Sequence, residues 1–167
     1  FQTGAAKAVL NNWSVNGFLV SQSGTPLTVT NRDSGRGIGG SSISTTATNL
    51  FADVTAGAPL ETSGSAKDRL NGFINPAAFS RAAIGTFGNS GRGMFRGPGQ
   101  WNLDFSLFKN IPVTERFKVQ FRSELFNLFN HANFSDPTVA LDSPNFGVIR
   151  GTTVNARLIQ FALKLSF

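Results

Sequence analysis

The chain closes on Arg157-Leu-Ile-Gln-Phe-Ala-Leu-Lys-Leu-Ser-Phe167, a segment that alternates without interruption. Ile159, Phe161, Leu163, Leu165 and Phe167 fall on one side, and Gln160, Ala162, Lys164 and Ser166 fall on the other. Successive side chains of a β-strand point to opposite faces, whereas a helix brings residues back every 3.6 or so positions, so a period of two specifies a strand with one apolar face. Its length adds a second constraint. A strand of about 9 to 11 residues, apolar on one side and small or polar on the other, is what crosses the hydrocarbon core of a bilayer.

Three further segments share the pattern. Trp13–Gln22 is the least regular, because Phe18 and Leu19 are adjacent, and it is expected to continue past Ser23-Gly-Thr-Pro26 into Leu27–Thr30. Trp101–Leu107 sets Trp101, Leu103, Phe105 and Leu107 against Asn102, Asp104 and Ser106. Arg116–Leu125 sets Phe117, Val119, Phe121 and Leu125 against Arg116, Lys118, Gln120, Arg122 and Glu124. The expected fold is therefore all-β, an open antiparallel meander of about four strands. No run approaches the 18 or so apolar residues of a membrane helix, so any crossing of a bilayer must be made by strands.

Composition removes several kinds of chemistry. Cysteine is absent, which excludes disulfides, thiolate metal sites and cysteine nucleophiles within these residues. The 15 Lys+Arg against 9 Asp+Glu give a net charge of +6, but no basic run forms, and nucleic acid is not expected as a partner. Aromatic usage is lopsided, with 17 Phe and 2 Trp but no Tyr, so Phe must serve wherever a barrel places its interfacial girdles. The chain begins Phe1-Gln-Thr-Gly and its one methionine is Met94, which reads as a segment of something longer.

The connections are unequal, and this inequality suggests a direction. Asn110 to Thr114 is a short turn, while Asn31 to Gln100 and Asn127 to Asn155 are long. Compact soluble domains connect their elements in about 4 to 6 residues, whereas outer-membrane barrels pair short periplasmic turns with long extracellular loops. On that reading residues 1–12 hold the end of a truncated strand and a periplasmic turn at Asn11-Asn12. Residues 13–167 then hold the final barrel strands, with extracellular loops at about 31–100 and 127–155. The first loop carries 13 of the 18 glycines and reads as flexible chain in its first half, with a short helical turn expected after Pro76.

At the level of motifs, the chain resembles the carboxyl-terminal part of the Oar-like TonB-dependent transporters. The matching stretches are Gly17 with Gln22-Ser-Gly-Thr-Pro-Leu-Thr-Val29, Phe73-Ile-Asn-Pro-Ala-Ala-Phe79, Gly85-Thr-Phe-Gly-Asn-Ser-Gly-Arg92 and Arg96-Gly-Pro-Gly-Gln-Trp-Asn-Leu-Asp-Phe-Ser-Leu-Phe-Lys109. They continue through Phe121-Arg-Ser-Glu-Leu-Phe-Asn-Leu-Phe-Asn-His-Ala-Asn-Phe134, Phe146-Gly and Arg157 to the ending Gln160–Phe167. The resemblance implies a large barrel in the bacterial outer membrane, closed around a plug and coupled to the TonB complex through regions outside this chain. It implies binding and import of a bulky nutrient, with no enzyme activity and no cofactor. It also implies that Ile159, Phe161, Leu163, Leu165 and Phe167 form the signal read by the barrel insertion machinery, by strand addition to an exposed sheet edge. The alternatives are a structural or adhesive surface barrel and a soluble Gly-rich β domain.

Isolated motifs add little. Gly35-Arg-Gly-Ile-Gly-Gly40 matches the letter of a dinucleotide fingerprint, but no helix-forming segment follows it. His131, the sole histidine, cannot build a multi-histidine metal site, although Asp136 and Asp142 are near it in sequence. Asn127, Asn130, Asn133 and Pro137 suit a turn at the top of a strand, with Phe126, Phe129 and Phe134 packing it onto the rim. Arg92 and Arg96 are candidates for contact with an anionic ligand, against loop packing or ion pairs with Asp104 and Glu124. Catalytic and metal-binding residues are not expected.

Overall fold

The computed structural model describes residues 9–33, 48–83 and 86–167. Among them the strands in chain order are β1 (Trp13–Gln22), β2 (Pro26–Leu27), β3 (Thr30–Asp33), β4 (Thr48–Phe51), β5 (Asp53–Val54), β6 (Phe79–Ser80), β7 (Phe95–Arg96), β8 (Gln100–Pro112), β9 (Lys118–Phe126) and β10 (Leu158–Ser166). A 3-10 turn occupies Pro76–Ala78, where Asn75 Oδ1 accepts from the Ala77 N–H at 3.1 Å. This is the helical turn expected after Pro76. The chain separates into two compact units.

The first unit contains the chain up to Ser21, Trp101–Asn133 and Val154–Phe167. It is a four-stranded sheet in the order β1-β8-β9-β10. Both β8/β9 and β9/β10 are antiparallel. The Asn110 N–H donates to the Asn12 carbonyl at 2.9 Å, and Gly17 lies beside Asp104, so β1 also runs antiparallel to β8. The register aligns one face across three strands: Phe105 with Leu125 and Ile159, Lys109 with Phe121 and Leu163, Ile111 with Val119 and Leu165. Among the described residues β1 and β10 are the sheet's edges, each bonded on one side.

Two boundaries differ from expectation. β8 runs on to Pro112, and the turn lies at residues 113–117, where Val113 and Thr114 N–H groups donate to the Phe117 carbonyl at 3.0 and 3.1 Å. Asn110 and Pro112 read as turn formers in the sequence. In the fold, however, Asn110 accepts from Gln120 Nε2 across the ladder at 2.8 Å, and Pro112 stands where the ladder ends and no donor is needed. β1 stops at Gln22 and does not continue past Pro26; Pro26 and Leu27 pair instead with Arg96 and Phe95 in a separate ladder. The strand expected before Asn11 falls mostly on residues 1–8, outside the described residues, and Val9 and Leu10 are helical. Asn12, at φ 63°, supplies the expected sharp turn into β1.

The second unit holds Gln22–Gln100 and Phe134–Thr153, built on three short ladders, β2/β7, β3/β4 and β5/β6. Glycine content predicts flexible chain through residues 31–65; residues 34–47 lie outside the described residues, as does the Gly35–Gly40 motif. From Phe51 onward the chain is instead packed. Its core is Leu27, Val29, Ala52, Phe73, Ile74, Ala78, Phe79, Phe95 and Ile149, with Phe146 edge-on to Phe79 at 6.0 Å. The physical reason is that the core is non-local. Phe73 N–H bonds the Gly147 carbonyl at 2.7 Å, and Ile149 N–H bonds the Leu70 carbonyl at 2.8 Å, so two segments far apart in sequence bury each other without local periodicity. Gly147 shows how tight this packing is. It holds φ 77°, and a Cβ there would sit 2.7 Å from the Ile74 carbonyl oxygen.

Candidate functional site

The alternation of β10 survives intact in the fold, with all five predicted apolar residues on one side of the sheet and exposed. Phe161, Leu163 and Leu165 are 67%, 72% and 66% accessible. Phe161 stacks on Phe121 at 6.0 Å and Phe167 lies 6.3 Å from Phe117, so the apolar surface extends laterally across strands. Withholding five such side chains from an apolar medium forgoes about 1.5–3 kcal/mol each, on the order of 10 kcal/mol for β10 together. A face of this size demands an apolar partner. From Trp101 to Ile111 the face climbs roughly 33 Å at about 3.3 Å per residue, or roughly 25 Å for a strand tilted by about 40°. That height is the apolar band of a transmembrane barrel.

The two ends of this band are marked by aromatic clusters, which answers the missing tyrosines. At one end Trp101 packs against His131 and Phe129, with ring centroids 4.4 and 5.7 Å away. At the other end Trp13 Nε1–H donates to the Val9 carbonyl at 2.7 Å, and Phe117 and Phe167 lie together. Each tryptophan serves one girdle, and phenylalanine fills both.

Lys109 breaks the apolar series of β8, and sequence reasoning missed its role. It is only 7% exposed and stands opposite Phe121. A buried ammonium is costly unless its hydrogens are bonded. Here Nζ donates to the carbonyls of Val9, at 3.1 Å, and Asn11, and it lies 5.0 Å from the Trp13 ring centroid. The stem follows the apolar surface while the charge is taken by backbone at the turn before β1. The signal was present as a break in the alternation of Trp101 to Ile111.

The opposite face is polar and largely self-satisfied. Gln120 bonds Asn110, Arg122 Nε donates to Gln120 Oε1 at 2.6 Å, and the Arg122 guanidinium lies 5.3 Å from the Phe108 centroid. Asp104 Oδ1 accepts from Asn102 Nδ2 and from the Asn127 N–H, both at 2.8 Å.

The Phe126–Asn133 stretch forms a bonded corner, the least expected part of the site. Asn127, at φ 51°, is buried, and its Oδ1 accepts from the His131 N–H at 2.9 Å while its Nδ2 donates to the carbonyls of His131 and Asn155, both at 3.0 Å. Asn130, at φ 52°, accepts from the Arg157 N–H at 2.9 Å. Asn133 Oδ1 accepts from the Trp101 N–H at 2.8 Å. Three asparagines thus tie the ends of β8, β9 and β10 together, two of them in the left-handed region that asparagine tolerates best. The turn role is legible in sequence; the clasp is not.

The two candidate ligand arginines belong to the second unit. Arg96 sits in β7 and donates through Nη1 to the Gly24 carbonyl at 3.0 Å; Arg92 is exposed in the preceding loop. His131 is half-buried against Trp101, with Nδ1 3.3 Å from Asn133 Oδ1. An ion pair between Arg81 and Asp142 joins the two long segments of this unit.

A family model described as outer membrane beta barrel domain matches residues 1–160. Comparison with curated proteins and with solved structures finds no match for this chain.

Proposed function

This chain belongs to the outer membrane beta barrel domain family and so to the bacterial outer membrane, and we propose that it is the carboxyl-terminal part of a TonB-dependent transporter that binds and imports a bulky nutrient. The observation that carries the reading is the pairing of one short turn, residues 113–117, with two long excursions from the same sheet, residues 23–99 and 127–157, whose described residues within Gln22–Gln100 and Phe134–Thr153 form a packed unit of their own. With the short turn periplasmic, both excursions are extracellular. A packed loop unit can present a preorganised surface to a ligand, which bare flexible loops do so only at an entropic cost. On this reading Arg92, which is exposed, and Arg96, which keeps one bond to the Gly24 carbonyl, contact an anionic ligand. The work is binding and gating, with no bond made or broken, and the TonB complex acts through regions outside this chain.

We assign β10 the assembly role. Among the described residues no strand pairs with its outer edge, and its alternating side chains set the register for strand addition by the insertion machinery. Deleting Phe167 in the intact gene should lower the amount of heat-modifiable barrel in the outer membrane while synthesis is unchanged; unaltered assembly refutes the role.

Conductance of the full-length protein in a planar bilayer separates transport from a structural or adhesive barrel. A plugged transporter is closed in buffer and opens reversibly when urea unfolds the plug. A channel that is open from the start, or one that urea never opens, refutes the transporter reading.

A further inference from the structure

The apolar face carries one cation at each end, and the two are treated differently by the fold. Lys109 is consumed by the Val9 and Asn11 carbonyls. Arg157 is not. It stands one residue before β10, and the alternation that brings Ile159, Phe161, Leu163 and Leu165 to the apolar face carries Arg157 to the same side. Its backbone N–H is held by Asn130 Oδ1, and its Nη1 reaches the Leu128 carbonyl at 3.4 Å. That long contact places the guanidinium beside the turn whose Phe129 and His131 rings rest on Trp101. Among the described residues no carboxylate pairs with Arg157, and a guanidinium has five donors.

An exposed arginine at the headgroup end of a lipid-facing strand, flanked by an aromatic girdle, has the charge and geometry to hold a phosphate. We propose that Arg157, with Trp101, Phe129 and His131, docks the phosphorylated headgroup of an outer-leaflet glycolipid. Arg157 supplies the bidentate donors, and the rings pack against the sugar and the first methylenes of the acyl chains. The proposal rests on the reading that this end of the sheet is extracellular, since that leaflet is where the phosphorylated glycolipid of an outer membrane resides.

The test uses the full-length protein in mild detergent, presented with bisphosphorylated lipid A, dephosphorylated lipid A or phosphatidylglycerol, and native mass spectrometry to count retained lipid. The parent should retain bisphosphorylated lipid A in preference to both others. Arg157→Gln should reduce that retention about tenfold or more, as expected for loss of charged hydrogen bonds, and Arg157→Lys should restore part of it. Heat-modifiable migration confirms that each variant is folded. Equal retention by Arg157→Gln, or equal retention of the dephosphorylated lipid or of phosphatidylglycerol, overturns the proposal. Orientation is read separately, by an impermeant maleimide on intact cells carrying Ser63→Cys, at an exposed position of the long excursion. Labelling sustains the orientation whatever Arg157 does; lack of labelling, with labelling restored in lysed cells, overturns the orientation and the proposal with it.

Discussion

Asn127→Ala should be among the most damaging single changes in the sheet unit, although the residue lies in a loop and bears no charge. The Asn127 side chain makes three hydrogen bonds: one accepted from the His131 N–H and two donated to the His131 and Asn155 carbonyls. Each is worth about 1 kcal/mol net, and holding alanine at φ 51° adds about 1 kcal/mol of left-handed strain. The expected loss is about 3–4 kcal/mol, because the residue is buried and water cannot replace the lost partners. Asn127→Gly removes the same bonds but not the backbone tolerance, so it should cost about 1 kcal/mol less than alanine. The assay is urea unfolding of the full-length protein in micelles, followed by heat-modifiable migration. If Asn127→Ala lies within about 1 kcal/mol of the parent, the clasp does not hold the strands and the reasoning fails.

Gly147→Ala should destabilise the loop unit by roughly 2–3 kcal/mol, combining φ 77° with a 2.7 Å approach to the Ile74 carbonyl. Gly57→Ala, at φ 79° with open space around it, should cost only about 1 kcal/mol; limited proteolysis of the loop unit ranks the two, and equal susceptibility contradicts the packing argument. Lys109→Met retains the apolar stem but loses the bonds to Val9 and Asn11, and should lower stability by about 2 kcal/mol; a neutral or stabilising effect in the urea assay means the ammonium is not held as described. The Asp68 carboxyl is held below its ordinary pKa, first by the Ser65 hydroxyl and then by the Ser65 N–H. A depressed carboxylate stabilises the native turn above its unfolded pKa and loses that contribution as pH falls through the folded value. Amide exchange at Ser65 should therefore show acid loosening in the parent that Asp68→Asn abolishes, and an unchanged profile in the variant contradicts the assignment.

How far sequence reasoning reached depends on whether the controlling contacts were local. The β10 strand was legible because each of its faces is chemically uniform, so register follows from pattern alone. The end of β8 was not, because Lys109 interrupts the apolar series and Asn110 and Pro112 carry turn propensity. Only the carbonyls of Val9 and Asn11, brought alongside by β1, make a lysine acceptable there. The packed loop unit was illegible for a related reason. Ile149 and Phe73 lie far apart in sequence, and nothing periodic announces that Leu70 and Gly147 will bond to them. The asparagines of residues 127–133 read correctly as turn formers, yet their partners at Trp101, Asp104, Asn155 and Arg157 exist only once three strands have assembled.

The central claim is that one face of the β8-β9-β10 sheet meets lipid and the other meets water. Because the chain contains no cysteine, single cysteines can be placed in turn at residues 159 to 165 of the full-length protein, spin-labelled and reconstituted in bilayers. Labels at 159, 161, 163 and 165 should be accessible to dissolved oxygen and shielded from a water-soluble nickel chelate, with 160, 162 and 164 showing the reverse. A flat profile, or an alternation of opposite phase, would contradict the account.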